Sequence, residues 1–259
     1  MTAAMERPAT TLDMAGIPTE AADAFRPVAE DITTRLPSRI SSLTVTGSCL
    51  TGDYMPGLSD INSVLVLHKA DMAALDTLSS MGNRFRKTRV SCPLVMTEEY
   101  IRRSLDVFPV EFLDMKLFHK TVLGTDPFVG LVIDPKPLRL QCERDLKGKL
   151  INLQRGYVSC GGKAGEVGAL VLEAFPGYFP LLRAMLFIMQ APKDPPAHKT
   201  DVLTESEAVF HVSLGGLREI LAMKAGAKTS RDQAHVKSLF QELCRITHDL
   251  SLAMDTLVL

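Results

Sequence analysis

The sequence predicts an α+β fold, with a small mixed α/β domain over residues 19–137 and an α-helical bundle over 138–259. Two observations predict it. Helical and strand patterns alternate as far as residue 125, and beyond GTDPFVGLVIDPKP, with three prolines and two glycines in fourteen residues, only helical patterns persist. A third observation sets the scale: 259 residues, 46% apolar and 23% charged, are enough for two cores.

The opening stretch, MTAAMERPATTLDMAGIP, has no long apolar run and carries charge early, so residues 1–18 read as a flexible tail rather than a secretory leader. Phe25, Val28, Ala29, Ile32 and Leu36 then recur at helical spacing, and Pro37 ends the run. ISSLTVT and INSVLVL are β-branched and aliphatic, which suits strands. DMAALDTLSSMG places Met72, Leu75 and Leu78 on one side of a short helix closing at Gly82. VSCPLVM is a third strand. Thr97 followed by Glu98 and Glu99 is a helix start, because the hydroxyl caps free amides and the acids favour the positive end of the dipole. FPVEFLDMK, with Glu111 and Asp114 on opposite faces, is a fourth strand.

In the second half, Cys142, Leu146, Leu150 and Leu153 share a helix face, and residues 165–190 supply further helix. That stretch is long enough to cross a bilayer, but Glu173, Arg183, Pro176 and Pro180 fit buried helices of a four- or five-helix bundle better. QAPKDPPAHKTD and AGAKTS read as interhelical loops, and GGKAGEVG as a flexible link that lacks the phosphate-loop pattern. The clearest amphipathic helix is the last, with Val236, Leu239, Phe240, Leu243, Ile246, Leu250, Met254 and Leu257 on one face. Its length is compatible with a homodimer. Five scattered cysteines without C-x-x-C spacing suit reduced thiols in a cytoplasmic protein, with no membrane partner. A net charge of −1 and the lack of a basic, aromatic-interleaved surface disfavour nucleic acid.

The chemistry lies in VTGSCLTGDYMPGLSDINSVLVL, residues 45–67. Magnesium-dependent phosphoryl-transfer sites need hard oxygen ligands, and an Asp-x-Asp on a strand projects two carboxylates from one face. A third carboxylate on a neighbouring strand completes such a site and serves as base, and a preceding Gly-Ser turn offers backbone amides and a hydroxyl to phosphates. Here Gly47 and Ser48 follow a strand, twelve residues separate Gly47 from Asp60, and Asn62 stands two residues on. Glu111 is preferred over Asp114 as the third acid. Arg144 and Lys147, one helical turn apart, are candidate triphosphate contacts, although a solvated helix face is the plainer reading. His119 reads as structural or surface.

Over residues 40–125 this pattern resembles the nucleotidyltransferase superfamily, which includes DNA polymerase beta and kanamycin nucleotidyltransferase. The resemblance implies transfer of a nucleoside monophosphate from a triphosphate to an acceptor hydroxyl, with Mg2+ or Mn2+ and release of pyrophosphate. It assigns Gly47 and Ser48 to the triphosphate, Asp60 to the metal and catalysis, and Glu111 to the third carboxylate. A small molecule or a protein hydroxyl is the expected acceptor. Asn62 departs from the pattern, which has Asp or Glu there. It keeps one carbonyl ligand and removes one negative charge, so the alternative is a catalytically inactive nucleotide-binding or protein-interaction module that retains the fold.

Overall fold

The computed structural model describes residues 11–190, 193–226 and 232–259. The first ten residues of the expected tail, and parts of the expected loops at 190–201 and 225–230, lie outside the described residues. The chain divides into two compact units, residues 1–103 with 115–131, and 104–114 with 132–259. The final crossing thus follows Leu131 rather than residue 137, and the short segment Ser104–Asp114 belongs to the second unit.

In the first unit, helix α1 (Thr19–Arg35) buries Phe25, Val28, Ala29 and Ile32, the face its spacing predicts. Strands β1 (Ile40–Thr46) and β2 (Asn62–Leu67) pair antiparallel, and β3 (Leu94–Met96) joins β2 in parallel. The fourth strand, β4 (His119–Gly124), pairs antiparallel with the other side of β1, giving the order β3-β2-β1-β4. Leu43 and Val45 of β1 and Leu65 and Leu67 of β2 form one core with α1. Alternation sends Thr44, Thr46 and Asn62 to the other face. There Thr44 and Thr121 share a hydroxyl–hydroxyl hydrogen bond of 2.9 Å.

Several elements differ from expectation. Leu12, Met14 and Ile17 are buried in the core, and Asp13 donates its N–H to the Val122 carbonyl (2.9 Å), so the tail is anchored from residue 12. Between β1 and β2 lies the single-turn helix α2 (Ser48–Thr51). Helix α3 (Met72–Ser79) buries Ala74 and Leu78 but exposes Met72 and Leu75, and Gly82 opens a separate helix, α4 (Gly82–Lys87), instead of closing the first. Helix α5 (Glu98–Arg103) starts as expected, with the Thr97 hydroxyl accepting the Tyr100 N–H at 3.1 Å. FPVEFLDMK is not a strand. It forms helix α6 (Pro109–Leu117), which buries Pro109, Val110, Phe112 and Leu113.

The second unit holds six longer helices among the described residues: α7 (Pro135–Ser159), α8 (Ala164–Ala174), α9 (Tyr178–Gln190), α10 (Lys199–Phe210), α11 (Gly215–Lys224) and α12 (Gln233–Asp255). The GGKAGEVG stretch is therefore helical from Ala164 onward. The apolar run at 164–190 is interrupted by a 3-10 turn at Phe175–Gly177, and Tyr178, Leu182, Met185 and Leu186 are fully buried. Helix α12 buries Val236, Leu239, Phe240, Leu243, Ile246, Leu250 and Met254 as its pattern predicts, while Leu257 lies past its end. Gly156 lets α7 approach α8, since a Cβ there would sit 2.8 Å from Leu170.

Candidate functional site

Strand β1 ends at Thr46, and the chain must turn at once onto α2. Gly47 makes that turn with φ 80° and ψ −148°, a combination open essentially to glycine alone. The Leu50 N–H closes the turn on the Gly47 carbonyl at 2.9 Å. A Cβ on Gly47 would lie 3.3 Å from Asn62 Nδ2, so the turn and the Asp-x-Asn segment are in direct apposition. Ser48 is half-buried beside them. Cys49 is not a nucleophile of this site, because burial pushes its thiol up to about 11 and leaves it protonated at neutral pH.

Residues 52–60 form an ordered loop. Thr51 Oγ1 donates to Asp53 Oδ2 (2.9 Å), the Met55 N–H donates to Ser59 Oγ (3.0 Å), and the Ser59 N–H returns to the Met55 carbonyl (2.8 Å). Ile61 is then locked in place: its N–H donates to the Arg89 carbonyl (2.7 Å), and its carbonyl accepts from Ser91 (3.0 Å). With Ile61 fully buried, its neighbours Asp60 and Asn62 are left exposed, as extended backbone requires. Arg89 Nη1 stands 3.6 Å from Asp60 Oδ1.

The register carries the site across three strands. Thr46 pairs with Asn62 on one side and with His119 on the other, so all three residues share a row at the sheet end that bears Gly47. No carboxylate belongs to β4. In that row His119 Nε2 is hydrogen-bonded to Asp126 Oδ2 at 2.7 Å, and Asp126 Oδ1 accepts the Phe128 N–H at 2.9 Å. Burial works to raise the Asp126 carboxyl, but the His119 and backbone hydrogen bonds outweigh it and hold it below the usual carboxylate range. The ring of Phe128 meets His119 edge-on at 5.2 Å.

The other expected site residues belong to the second unit. Glu111 and Asp114 lie one helical turn apart on α6, not on opposite faces of a strand, so the strand-based case for Glu111 beside Asp60 falls away. Glu111 Oε2 accepts the Gln141 amide at 2.8 Å. Asp114 is committed to Arg183 (2.9 Å). Arg144 Nε lies 3.0 Å from Asp145, and Lys147 donates to Glu143 at 2.6 Å, a bond that raises the lysine above its ordinary range. Both cations thus already have acids as partners.

Two features were not found from the sequence. Arg89 sits just before the third strand, where no motif flags it, and it reaches Asp60 only because β3 runs beside β2. The His119–Asp126 pair spans a turn with no recognisable spacing signature.

The donor set can be tested against the magnesium that the resemblance implies. Among the described residues no group of three His, Cys, Asp or Glu side chains is assembled for a metal ion. Asp60 supplies one carboxylate and Asn62 one amide oxygen. That suits a single magnesium completed by nucleotide phosphates and water, and it does not suit two closely spaced ions.

No protein-family model and no curated protein sequence matches the chain. Among solved structures it is similar to spectinomycin adenyltransferase AAD(9) from Enterococcus faecialis, determined with ATP and spectinomycin. The identity is 12%, the TM-score 0.54, and the similarity covers 87% of this chain and 98% of that one. At this identity the similarity establishes the fold: α+β, with a mixed four-stranded sheet and a helical C-terminal region, like that of an adenyltransferase.

Proposed function

We propose that this chain binds a nucleoside triphosphate at the Gly47–Asp60–Asn62 end of its sheet and transfers the nucleoside monophosphate to a hydroxyl of a small molecule. The observation that carries this is the apposition of Gly47, in its glycine-only conformation, with Asn62. A glycine turn brings backbone amides close to an anion, and here it meets the segment that offers oxygen ligands to a cation. The adenyltransferase-like fold supports the same reading, as do the ATP and spectinomycin bound to that neighbour.

In the reaction a bond forms between the acceptor oxygen and the α-phosphorus, the bond from that phosphorus to the β-phosphate's bridging oxygen breaks, pyrophosphate leaves, and the acceptor hydroxyl's proton passes to solvent. Gly47 and Ser48 would hold the triphosphate. Asp60 and the Asn62 carbonyl oxygen would hold one magnesium, whose charge, when bound, neutralises the phosphates. Asn62 also offers an amide N–H, a donor to phosphate that an aspartate lacks. Glu111, which accepts the Gln141 amide, and Asp114, which is engaged by Arg183, both belong to the second unit, so neither is given a third-acid role in this proposal. The second reading, a nucleotide-binding module without transfer activity, is favoured by one observation, the uncharged Asn62.

Gly47→Ala tests the site directly. The substitution forces a side chain into a backbone conformation that costs about 1–3 kcal/mol and against the Asn62 amide. ATP affinity, measured by calorimetry, is expected to fall about tenfold or more, while circular dichroism at low temperature stays unchanged. Undiminished ATP binding would place the nucleotide elsewhere.

A further inference from the structure

We propose that Arg89 is a phosphate ligand and the resident counter-charge of Asp60, so that a nucleoside triphosphate, rather than a free divalent cation, is the first molecule to enter the site. The inference deepens the proposed nucleotide site and rests on it.

The position of Arg89 is set by the backbone. Its carbonyl accepts the Ile61 N–H at 2.7 Å, and the next residue, Val90, is buried and bridges Ile61 in parallel. The base of the side chain is therefore fixed beside the Asp60–Asn62 segment. Its guanidinium then lies 3.6 Å from Asp60 Oδ1 and 3.5 Å from the Leu58 carbonyl, with half of the side chain exposed. These are long contacts for a group with five N–H donors, so the guanidinium is held in place yet free to exchange partners. A planar fork of donors also matches phosphate oxygens better than it matches a single carboxylate oxygen.

The charges point the same way. Asp60 contributes −1 and Arg89 +1, and Asn62 contributes none. A metal ion arriving alone meets one carboxylate that is already countered, an uncharged amide at Asn62, and the repulsion of a guanidinium. A triphosphate meets that guanidinium and the Gly47–Ser48 turn. Once Arg89 has moved onto the phosphates, Asp60 is released toward a metal that the nucleotide carries in.

Calorimetry on the full chain tests this with two probes, manganese chloride alone and ATP in EDTA, on wild type, Arg89→Met and Arg89→Lys. Wild type is expected to bind ATP without metal and to bind manganese alone only weakly. Arg89→Met is expected to lose about tenfold in metal-free ATP affinity and to gain about tenfold for manganese, the scale of one charge acting on a divalent ion about 5 Å away in water. Arg89→Lys, which keeps the charge but not the fork, is expected to fall between them. Because Arg89 is exposed, all three proteins should fold alike, and a melting curve checks it. Unchanged ATP and manganese affinities in Arg89→Met would overturn the role of Arg89 while leaving the nucleotide site standing. Absence of ATP binding in wild type, with or without metal, would overturn both.

Discussion

Asn62→Asp is expected to strengthen binding of manganese in the absence of nucleotide by at least about 30-fold. A carboxylate about 4 Å from a divalent ion gains about 2 kcal/mol even at the dielectric of bulk water, and each 1.4 kcal/mol or so is tenfold. Asn62 is exposed, so the bulk-water figure is the right lower bound. The exchange is isosteric and leaves the space above Gly47 unchanged, so the effect isolates charge. The same variant is expected to release AMP and pyrophosphate from ATP, with water as the acceptor, faster than wild type, since a second acid beside Asp60 supplies the donor set for a pair of ions. Manganese affinity equal to wild type would mean that residue 62 does not face the metal, and the uncharged Asn62 would then no longer favour the reading without transfer activity.

The second large effect is on stability. Arg183, on α9, has a side chain only 5% exposed. It donates to Asp114 Oδ1 at 2.9 Å, to the Pro196 carbonyl at 3.3 Å and to the Ala197 carbonyl at 2.6 Å. Burial pushes the Asp114 carboxyl above its ordinary range, and Arg183 offsets only part of that rise. Arg183→Met removes the counter-charge and leaves a carboxylate and two carbonyls without this donor. The expected loss is about 3–5 kcal/mol, read from denaturant unfolding followed by circular dichroism. Arg183→Met with Asp114→Leu is expected to recover part of it, because no buried charge is then left without its partner. A loss under about 1 kcal/mol would show that the pair is solvated in the folded protein.

What could be read from the sequence was what local chemistry fixes. The strand, the Gly47–Ser48 turn, the Asp60-x-Asn62 lead and the amphipathic face of α12 each depend on neighbouring residues, and each is present. FPVEFLDMK misled because apolar and acidic residues alternate over part of it. The competing signals were Pro109 at the first helical position and Glu111 in the first turn, both typical of a helix start, and they describe α6. The polar HKTVLG then supplies the fourth strand. Its residues show no clear alternation, and its place beside β1 is decided by tertiary pairing. Leu12, Met14 and Ile17 were unreadable for the same reason: only the core they cover gives their spacing meaning. In the site, Arg89 reaches Asp60 through register between distant segments, which no local pattern encodes, and the His119–Asp126 pair spans a turn without a spacing signature.

The most direct test of nucleotide binding at Asp60 is calorimetric titration of ATP into wild type and Asp60→Ala, each with and without magnesium. Wild type is expected to bind ATP more tightly when magnesium is present, and Asp60→Ala to lose that increment while keeping a folded, cooperative melting transition. A magnesium increment that survives in Asp60→Ala, or no ATP binding to wild type in either condition, would contradict a nucleotide site built on Gly47, Asp60 and Asn62.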